Sequence, residues 1–287
     1  MLPGVVLGLC AVMITALDST SRTCVGAQES DGQKLASLPI PIAQSPRIYV
    51  QDNVFTAAEC LKLVETGFAL LEPAQVMGSD GKLKDATNYR TATTTTLTRK
   101  SSAIVDLFRK RMANLVLLPE EYGEELQLTR YTPGQKYEAH FDSSMVAGRL
   151  ATVIVFLGVP AQGGQLAFPW AKRGEFADAV AEGVSGRGRA AHELEGVQDA
   201  PRSHLVCSPA NDSLLIEPRM GRAVLWFNHS PDLKRVGYAA MHVGCPVLEG
   251  EKFITQVFFD WMVPRTQNGV NEVFKAVGLQ WLEPLYG

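Results

Sequence analysis

The chain has 287 residues, of which 27 are Lys or Arg and 30 are Asp or Glu, so its formal net charge is only −3. With 46% hydrophobic residues and a mean hydropathy of +0.02 it carries enough apolar side chain for one sizeable core, which excludes an intrinsically disordered chain. There is no cationic excess to hold a phosphate backbone, so no nucleic-acid partner is expected.

Near the N-terminus, Val5 to Leu17 form an apolar run of 13 residues stopped by Asp18. A bilayer span needs about 20, so the run reads as the core of a secretory signal. Val25-Gly26-Ala27 offers small residues for cleavage before Gln28. Residues 1–27 are therefore expected to be a signal peptide leading to the endoplasmic reticulum lumen; left uncleaved, the run would serve as a membrane anchor facing the lumen. Residues 28–46, rich in Ser, Gln, Pro and Gly, read as a linker, with a folded domain at 47–265 and a C-terminal tail at 266–287.

Inside the domain, Thr56-Ala-Ala-Glu59 is a capping box, and Leu61, Val64, Phe68 and Leu71 follow at helical spacing. A second amphipathic helix carries Ile104, Leu107, Phe108, Met112 and Leu115. Beyond Glu124 come short β-rich runs at 126–131, 150–157, 165–168, 213–217, 222–227, 239–243 and 253–261. This order predicts a mainly β fold with flanking α-helices, a double-stranded β-helix of the jelly-roll kind. Residues 170–206, rich in Ala, Gly, Arg and Glu, read as an insertion loop near the mouth of the site. Its stretch Gly183 to Arg189 lacks a P-loop Lys and reads as flexible linker.

Of five cysteines, Cys10 and Cys24 would leave with the signal. In an oxidising lumen Cys207 and Cys245, each beside a predicted strand, are placed to pair and brace the turn that bears His242, with Cys60 as a buried thiol. No paired Cys/His spacing suggests zinc. Asn211 and Asn228 each head a glycosylation sequon, and Asn228 also ends a predicted strand.

The chemistry concentrates in Tyr131-Thr-Pro-Gly-Gln-Lys-Tyr-Glu-Ala-His140-Phe-Asp142. Alternate residues of an extended segment share a face, so His140 and Asp142 can meet one metal, and His242 supplies a third ligand from a distant strand. Two imidazoles and a carboxylate leave three coordination positions open, as in non-haem Fe(II) oxygenases. Lys252 follows His242 by ten residues and enters an apolar strand, where its buried ammonium would neutralise a buried carboxylate.

These residues belong to longer runs: Tyr131, Gly134, Gln135, Tyr137, His140 and Asp142; Gly163-Gly-Gln-Leu-Ala-Phe-Pro169; Gly221-Arg-Ala-Val-Leu-Trp-Phe-Asn228; and His242, Gly244, Cys245, Pro246, Gly250 and Lys252. Over about residues 46 to 262 the chain resembles the prolyl 4-hydroxylase family, the 2-oxoglutarate- and Fe(II)-dependent dioxygenases that hydroxylate peptidyl proline in the secretory pathway. The resemblance implies iron ligation by His140, Asp142 and His242. It also implies that Lys252 holds the far carboxylate of 2-oxoglutarate with help from the Tyr131 hydroxyl, and that L-ascorbate rescues oxidised iron. Arg90, Tyr131 and Arg149 would then be active-site groups, with Glu124 beside the peptide groove and a proline-containing peptide and O2 as substrates.

Two positions depart from that pattern. Leu166 stands where relatives place a Thr hydroxyl near the cosubstrate, and Phe258 and Asp260 stand where they place Trp and His in the groove. Two other readings share the same residues: a related oxygenase acting on lysine, free proline or a cytosolic protein, and a non-catalytic jelly-roll module that binds peptide or partner chains. The sequence names no partner subunit.

Overall fold

The computed structural model describes residues 39–77, 83–85, 88–143, 148–173, 182–186, 203–208, 210, 212–229 and 236–260, all within the second of two compact units. The signal peptide, its cleavage site, the Asn211 sequon, the tail 266–287 and most of the insertion lie outside the described residues.

The run Leu150 to Leu157 has too few polar residues for a strand with one wet face, and it is covered on both sides. Strand Arg149–Gly158 lies inside a nine-stranded antiparallel sheet, between Ala223–Phe227 and Lys252–Asp260. Its residues Ala151, Val153, Val155 and Leu157 face the helices, while Ile154 and Phe156 face a second sheet. Lys252–Asp260 alternates in the same way, with Val257 and Phe259 toward the helices and Ile254 toward the second sheet. The large sheet continues through Leu126–Tyr131 and Thr93–Leu97 on one side and through Arg47–Gln51 and Ile40–Ser45 on the other. The second sheet has five strands, in the order Val184–Ser185, Leu214–Ile216, Leu166–Phe168, His242–Gly244 and Tyr137–His140. Two antiparallel sheets packed face to face around one core form the predicted jelly roll, with the site between them.

The helices buttress the outer face of the large sheet. The capping box of α1 (Ala57–Gly67) forms as read: Glu59 N–H donates to Thr56 Oγ1 at 3.2 Å, and Thr56 N–H donates to Glu59 Oε2 at 2.8 Å. Its inward face differs from the expected stripe. Cys60, Leu63 and Gly67 are buried, whereas Leu61 and Phe68 are 53% and 48% exposed. Close approach decides this, because a Cβ at position 67 would lie 2.6 Å from Leu128 Cδ2, so the glycine must face the sheet and the bulky Phe68 turns outward beneath Arg130. Along α2 (Ala103–Val116), Val105, Phe108 and Met112 are buried and Ile104 and Leu115 pack at the margin, close to the predicted face. Burial pushes the Cys60 thiol up to about 11, so it stays protonated and inert.

Three further expectations change. The fold begins before Arg47, because Ile40–Ser45, within the stretch read as linker, pairs with both Arg47–Gln51 and Lys172–Arg173. The insertion is partly built into the sheets: Lys172–Arg173 and Val184–Ser185 form edge strands, and Trp170 and Ala171 are buried. The run 239–243 divides into a 3-10 turn, Tyr238–Ala240, and the strand His242–Gly244; the turn aims the Ala240 carbonyl at the His242 ring.

Cys207 and Cys245 form the expected disulfide, and among the described residues Cys60 is the free, buried cysteine. The bridge ties the short helix α3 (Ser203–Val206) to the segment following His242. Closing a loop of 38 residues removes unfolded-state entropy worth about 4 kcal/mol. Cys207→Ser is expected to lower unfolding stability by about that amount in denaturant titration; stability within about 1 kcal/mol of the natural chain would show that α3 is held by its other contacts.

Candidate metal centre and adjoining cavity

Strands Tyr137–His140 and His242–Gly244 pair antiparallel with His140 opposite His242, which sets the two ring centroids 4.2 Å apart. Each imidazole is oriented by the carbonyl two residues before it: His140 Nδ1 lies 2.7 Å from Glu138 O, and His242 Nδ1 lies 3.0 Å from Ala240 O. A carbonyl only accepts, so Nδ1 carries a proton in each ring, and it is Nε2 that each ring turns toward Asp142. His140 Nε2 lies 3.6 Å from Asp142 Oδ1, and His242 Nε2 lies 3.6 Å from Asp142 Oδ2. Burial, reinforced by His242, holds His140 well below the ordinary imidazole range and therefore neutral. Tyr137 stacks on the His140 ring at 3.6 Å, and the Trp226 indole meets the His242 ring at 4.7 Å, so neither imidazole is free to turn.

One potential ligand atom from each of these residues lies within 4.8 Å of the others. Two imidazole nitrogens and one carboxylate, converging from one side and anchored behind, are a donor set that fits Fe(II) with part of its coordination sphere open.

Asp142 is held in turn. The Thr152 hydroxyl donates to its Oδ2 at 2.7 Å, and Arg149 Nη1 donates to its backbone carbonyl at 3.2 Å. Arg149 pairs with Glu124 through two nitrogens, at 2.5 and 2.9 Å, and lies 3.7 Å over the Phe258 ring. The resemblance assigned Arg149 and Glu124 to the groove; the structure shows that they also brace the loop carrying Asp142. Asp260 lies opposite Arg149 in the strand register.

Both histidines open onto a cavity that is also lined by Tyr131, Leu166, Lys252 and Gln256. Lys252 is 3% exposed; its Nζ donates to Gly164 O at 3.0 Å and lies 4.4 Å from the centre of the Tyr131 ring. Among the described residues it has no carboxylate partner, and burial lowers its pKa to about 7. A desolvated ammonium facing a cavity is a receptor for an anion. Gly164 makes room for it: φ is +75° there, and a Cβ would meet Lys252 Cδ at 3.2 Å and Pro160 Cγ at 2.9 Å.

The hydroxyl of Tyr131 was expected to assist Lys252. Its ring faces the ammonium at the cavity wall, and Arg90 is a charged neighbour of its hydroxyl. Arg90 is buried above the Tyr137 ring at 4.9 Å and donates to Thr129 Oγ1 at 3.3 Å, so it supports the wall behind the metal residues. Leu166 lies in the wall, as the sequence implied, and leaves that surface apolar. Sequence reading singled out neither Thr152 nor Trp226.

Residues 126–260 match the 2OG-Fe(II) oxygenase superfamily. Among curated proteins, Probable prolyl 4-hydroxylase 4 of Arabidopsis thaliana is 30% identical over 219 residues, which cover 74% of this chain and 66% of that protein. Prolyl 4-hydroxylase 2 of the same plant is 29% identical over 219 residues with the same coverage, so the chain spans 66% of the length of each. Among solved structures, the viral collagen prolyl hydroxylase of Paramecium Bursaria Chlorella virus-1, in complex with 2OG, aligns at TM-score 0.48 and 18% identity, over 74% of this chain and 94% of that one.

Substituting His140, Asp142 or His242 by alanine is expected to abolish stoichiometric metal binding while leaving the circular dichroism spectrum intact, since a facial site lacking one of three ligands loses both affinity and geometry. Metal analysis of the purified variants checks this; stoichiometric iron in any one of them removes that residue from the centre.

Proposed function

The chain belongs to the 2OG-Fe(II) oxygenase superfamily, and from that premise we propose that it hydroxylates peptidyl proline at C4 within the secretory pathway. One observation carries the reading: His140 and His242, which converge with Asp142, open onto the same cavity as the buried Lys252, which has no carboxylate partner among the described residues. The curated relatives are named prolyl 4-hydroxylases, which supports the choice of proline. A disulfide between Cys207 and Cys245 favours an oxidising compartment.

When bound, Fe(II) and 2-oxoglutarate supply the oxidising power for hydroxylation, with succinate and CO2 as co-products. The chain's own part is to bind, orient and dry the site. His140, Asp142 and His242 would hold the iron, and Lys252 would neutralise the far carboxylate of 2-oxoglutarate at the bottom of the cavity. Tyr131, Ile154 and Phe156 exclude water from that charge pair, which strengthens it. Arg149, Glu124 and Phe258 lie beside Asp142, where an incoming peptide would pass. Ascorbate is the proposed reductant that returns the centre to its ferrous state.

Incubation with Fe(II), 2-oxoglutarate and ascorbate, followed by mass spectrometry of proline-rich and lysine-bearing peptides, tests the substrate. One oxygen gained on proline supports the reading; oxygen gained on lysine alone replaces it.

Lys252 also sets a pH dependence. Its free-state pKa is about 7, and an anion binds only the protonated form, so above pH 7 binding must take up a proton. The 2-oxoglutarate requirement is expected to rise toward tenfold per pH unit above 7 and to be flat below it. Lys252→Ala should raise the requirement about a hundredfold or more and erase this slope, because an unpaired buried carboxylate costs about 3–5 kcal/mol. Succinate release titrated against 2-oxoglutarate checks both; an unchanged requirement in Lys252→Ala would show that another cation holds the anion.

A further inference from the structure

We propose that Trp226, Asn228 and Thr152 form a one-way hydrogen-bond chain that commits Asp142 to ligation through a single oxygen and so preserves an open coordination position. The inference rests on the iron centre described above. Its links are direct: Trp226 Nε1 to Asn228 Oδ1 at 2.9 Å, Asn228 Nδ2 to Thr152 Oγ1 at 3.0 Å, and Thr152 Oγ1 to Asp142 Oδ2 at 2.7 Å. Trp226 and Thr152 are fully buried and Asn228 is 1% exposed, which leaves little room for solvent to substitute for a link.

The polarity of the chain follows from its far end. An indole N–H donates and never accepts, so it must meet the oxygen of the Asn228 amide. That orientation turns the amide NH2 toward Thr152, where it occupies a lone pair of the hydroxyl. The hydroxyl hydrogen is left with Asp142 Oδ2 as its acceptor, at a distance within the range of about 2.5–2.7 Å typical of a hydroxyl on a carboxylate. Strand register keeps the members together, since Trp226 and Phe258 flank Thr152 on its two neighbouring strands. The same indole packs against the His242 ring, so one side chain positions two of the three ligands.

The consequence is a matter of counting. An octahedral ion held by three single-atom ligands keeps three positions, of which a chelating 2-oxoglutarate takes two. A carboxylate that turned both oxygens inward would occupy the last. Each carboxylate oxygen lies 3.6 Å from one imidazole Nε2, so position alone does not choose between them; the Thr152 hydrogen bond occupies a lone pair of Oδ2 and breaks the tie in favour of Oδ1, which keeps the remaining position available to a small gaseous ligand. Thr152, Asn228 and Trp226 are thus positioning residues, which act through Asp142.

The test uses the folded protein loaded anaerobically with Fe(II) and 2-oxoglutarate and titrated with nitric oxide, a dioxygen mimic, followed by electron paramagnetic resonance. Thr152→Val, which keeps the shape and removes the hydroxyl, is expected to weaken nitric oxide binding at least about tenfold, within the range for loss of an outer-sphere contact. Thr152→Ser, which restores the hydroxyl, should stay within about threefold of the natural chain, and the visible absorption of iron-bound 2-oxoglutarate should persist in both. Nitric oxide binding by Thr152→Val less than about fivefold weaker than that of the natural chain overturns the proposal. Should Thr152→Val fail to fold, Thr152→Ala, which also removes the hydroxyl and leaves the Trp226–His242 packing in place, answers by the same readout and the same threshold. Failure of the unaltered protein to bind iron would strike the centre itself and is told apart by metal analysis before the titration.

Discussion

Two imidazoles separated by about a hundred residues share a site only because two short strands pair in one register, with His140 opposite His242. A slip of one residue would turn one ring to the opposite face and dissolve the centre. Strands of four and three residues hold such a register weakly by themselves, and the fold reinforces it from outside. The Glu138 carboxylate accepts from the Ser203 backbone N–H and hydroxyl at 3.0 and 3.1 Å, which fastens α3 to the His140 strand. Cys207, one residue beyond that helix, is bonded to Cys245, three residues beyond His242. A single turn of helix thereby fastens both ligand strands, and a Cβ at Gly244 would press on Tyr137 Cβ at 3.3 Å where the two strands come closest.

The second constraint is electrostatic. A lysine buried to 3% exposure that meets a carbonyl and an aromatic face but, among the described residues, no carboxylate is an unfavourable arrangement for the free protein, and the depressed pKa records that cost. The arrangement becomes favourable when a carboxylate enters. Stability is surrendered at one residue to give an anion a prepared, dry partner, a trade common at functional sites. Two other deeply buried cations are paired: Arg109 and Arg222 meet Glu120 and Asp52 at 2.6 Å.

Much of this was legible in the chain. The β runs of the large sheet, the α1 capping box, the metal residues and Lys252 each rest on a local pattern, such as a two-residue spacing or an apolar run, that the fold preserves. What escaped reading depends on partners distant in sequence. Ile40–Ser45 is a strand because Lys172–Arg173 and Arg47–Gln51 lie beside it, and its own composition resembles a linker. Phe68 faces out because Gly67 is the residue small enough to meet Leu128. Thr152 is an unremarked β-branched residue in a β-rich run until Asp142 is placed against its hydroxyl.

Asn228 heads an acceptor sequence for N-linked glycans, and its side-chain nitrogen, the atom to which a sugar would be joined, is the donor to Thr152. Its backbone is engaged as well, through Leu150 and Gly237 at 2.9 Å each. Folding and glycosylation at this residue are therefore mutually exclusive outcomes. Were the chain made where glycans are attached, as proposed, the order of events would matter: the Ala223–Phe227 strand would have to close against Arg149–Gly158 before the modifying enzyme arrived, and a molecule that lost this race would carry a sugar where the support for its metal ligand should be.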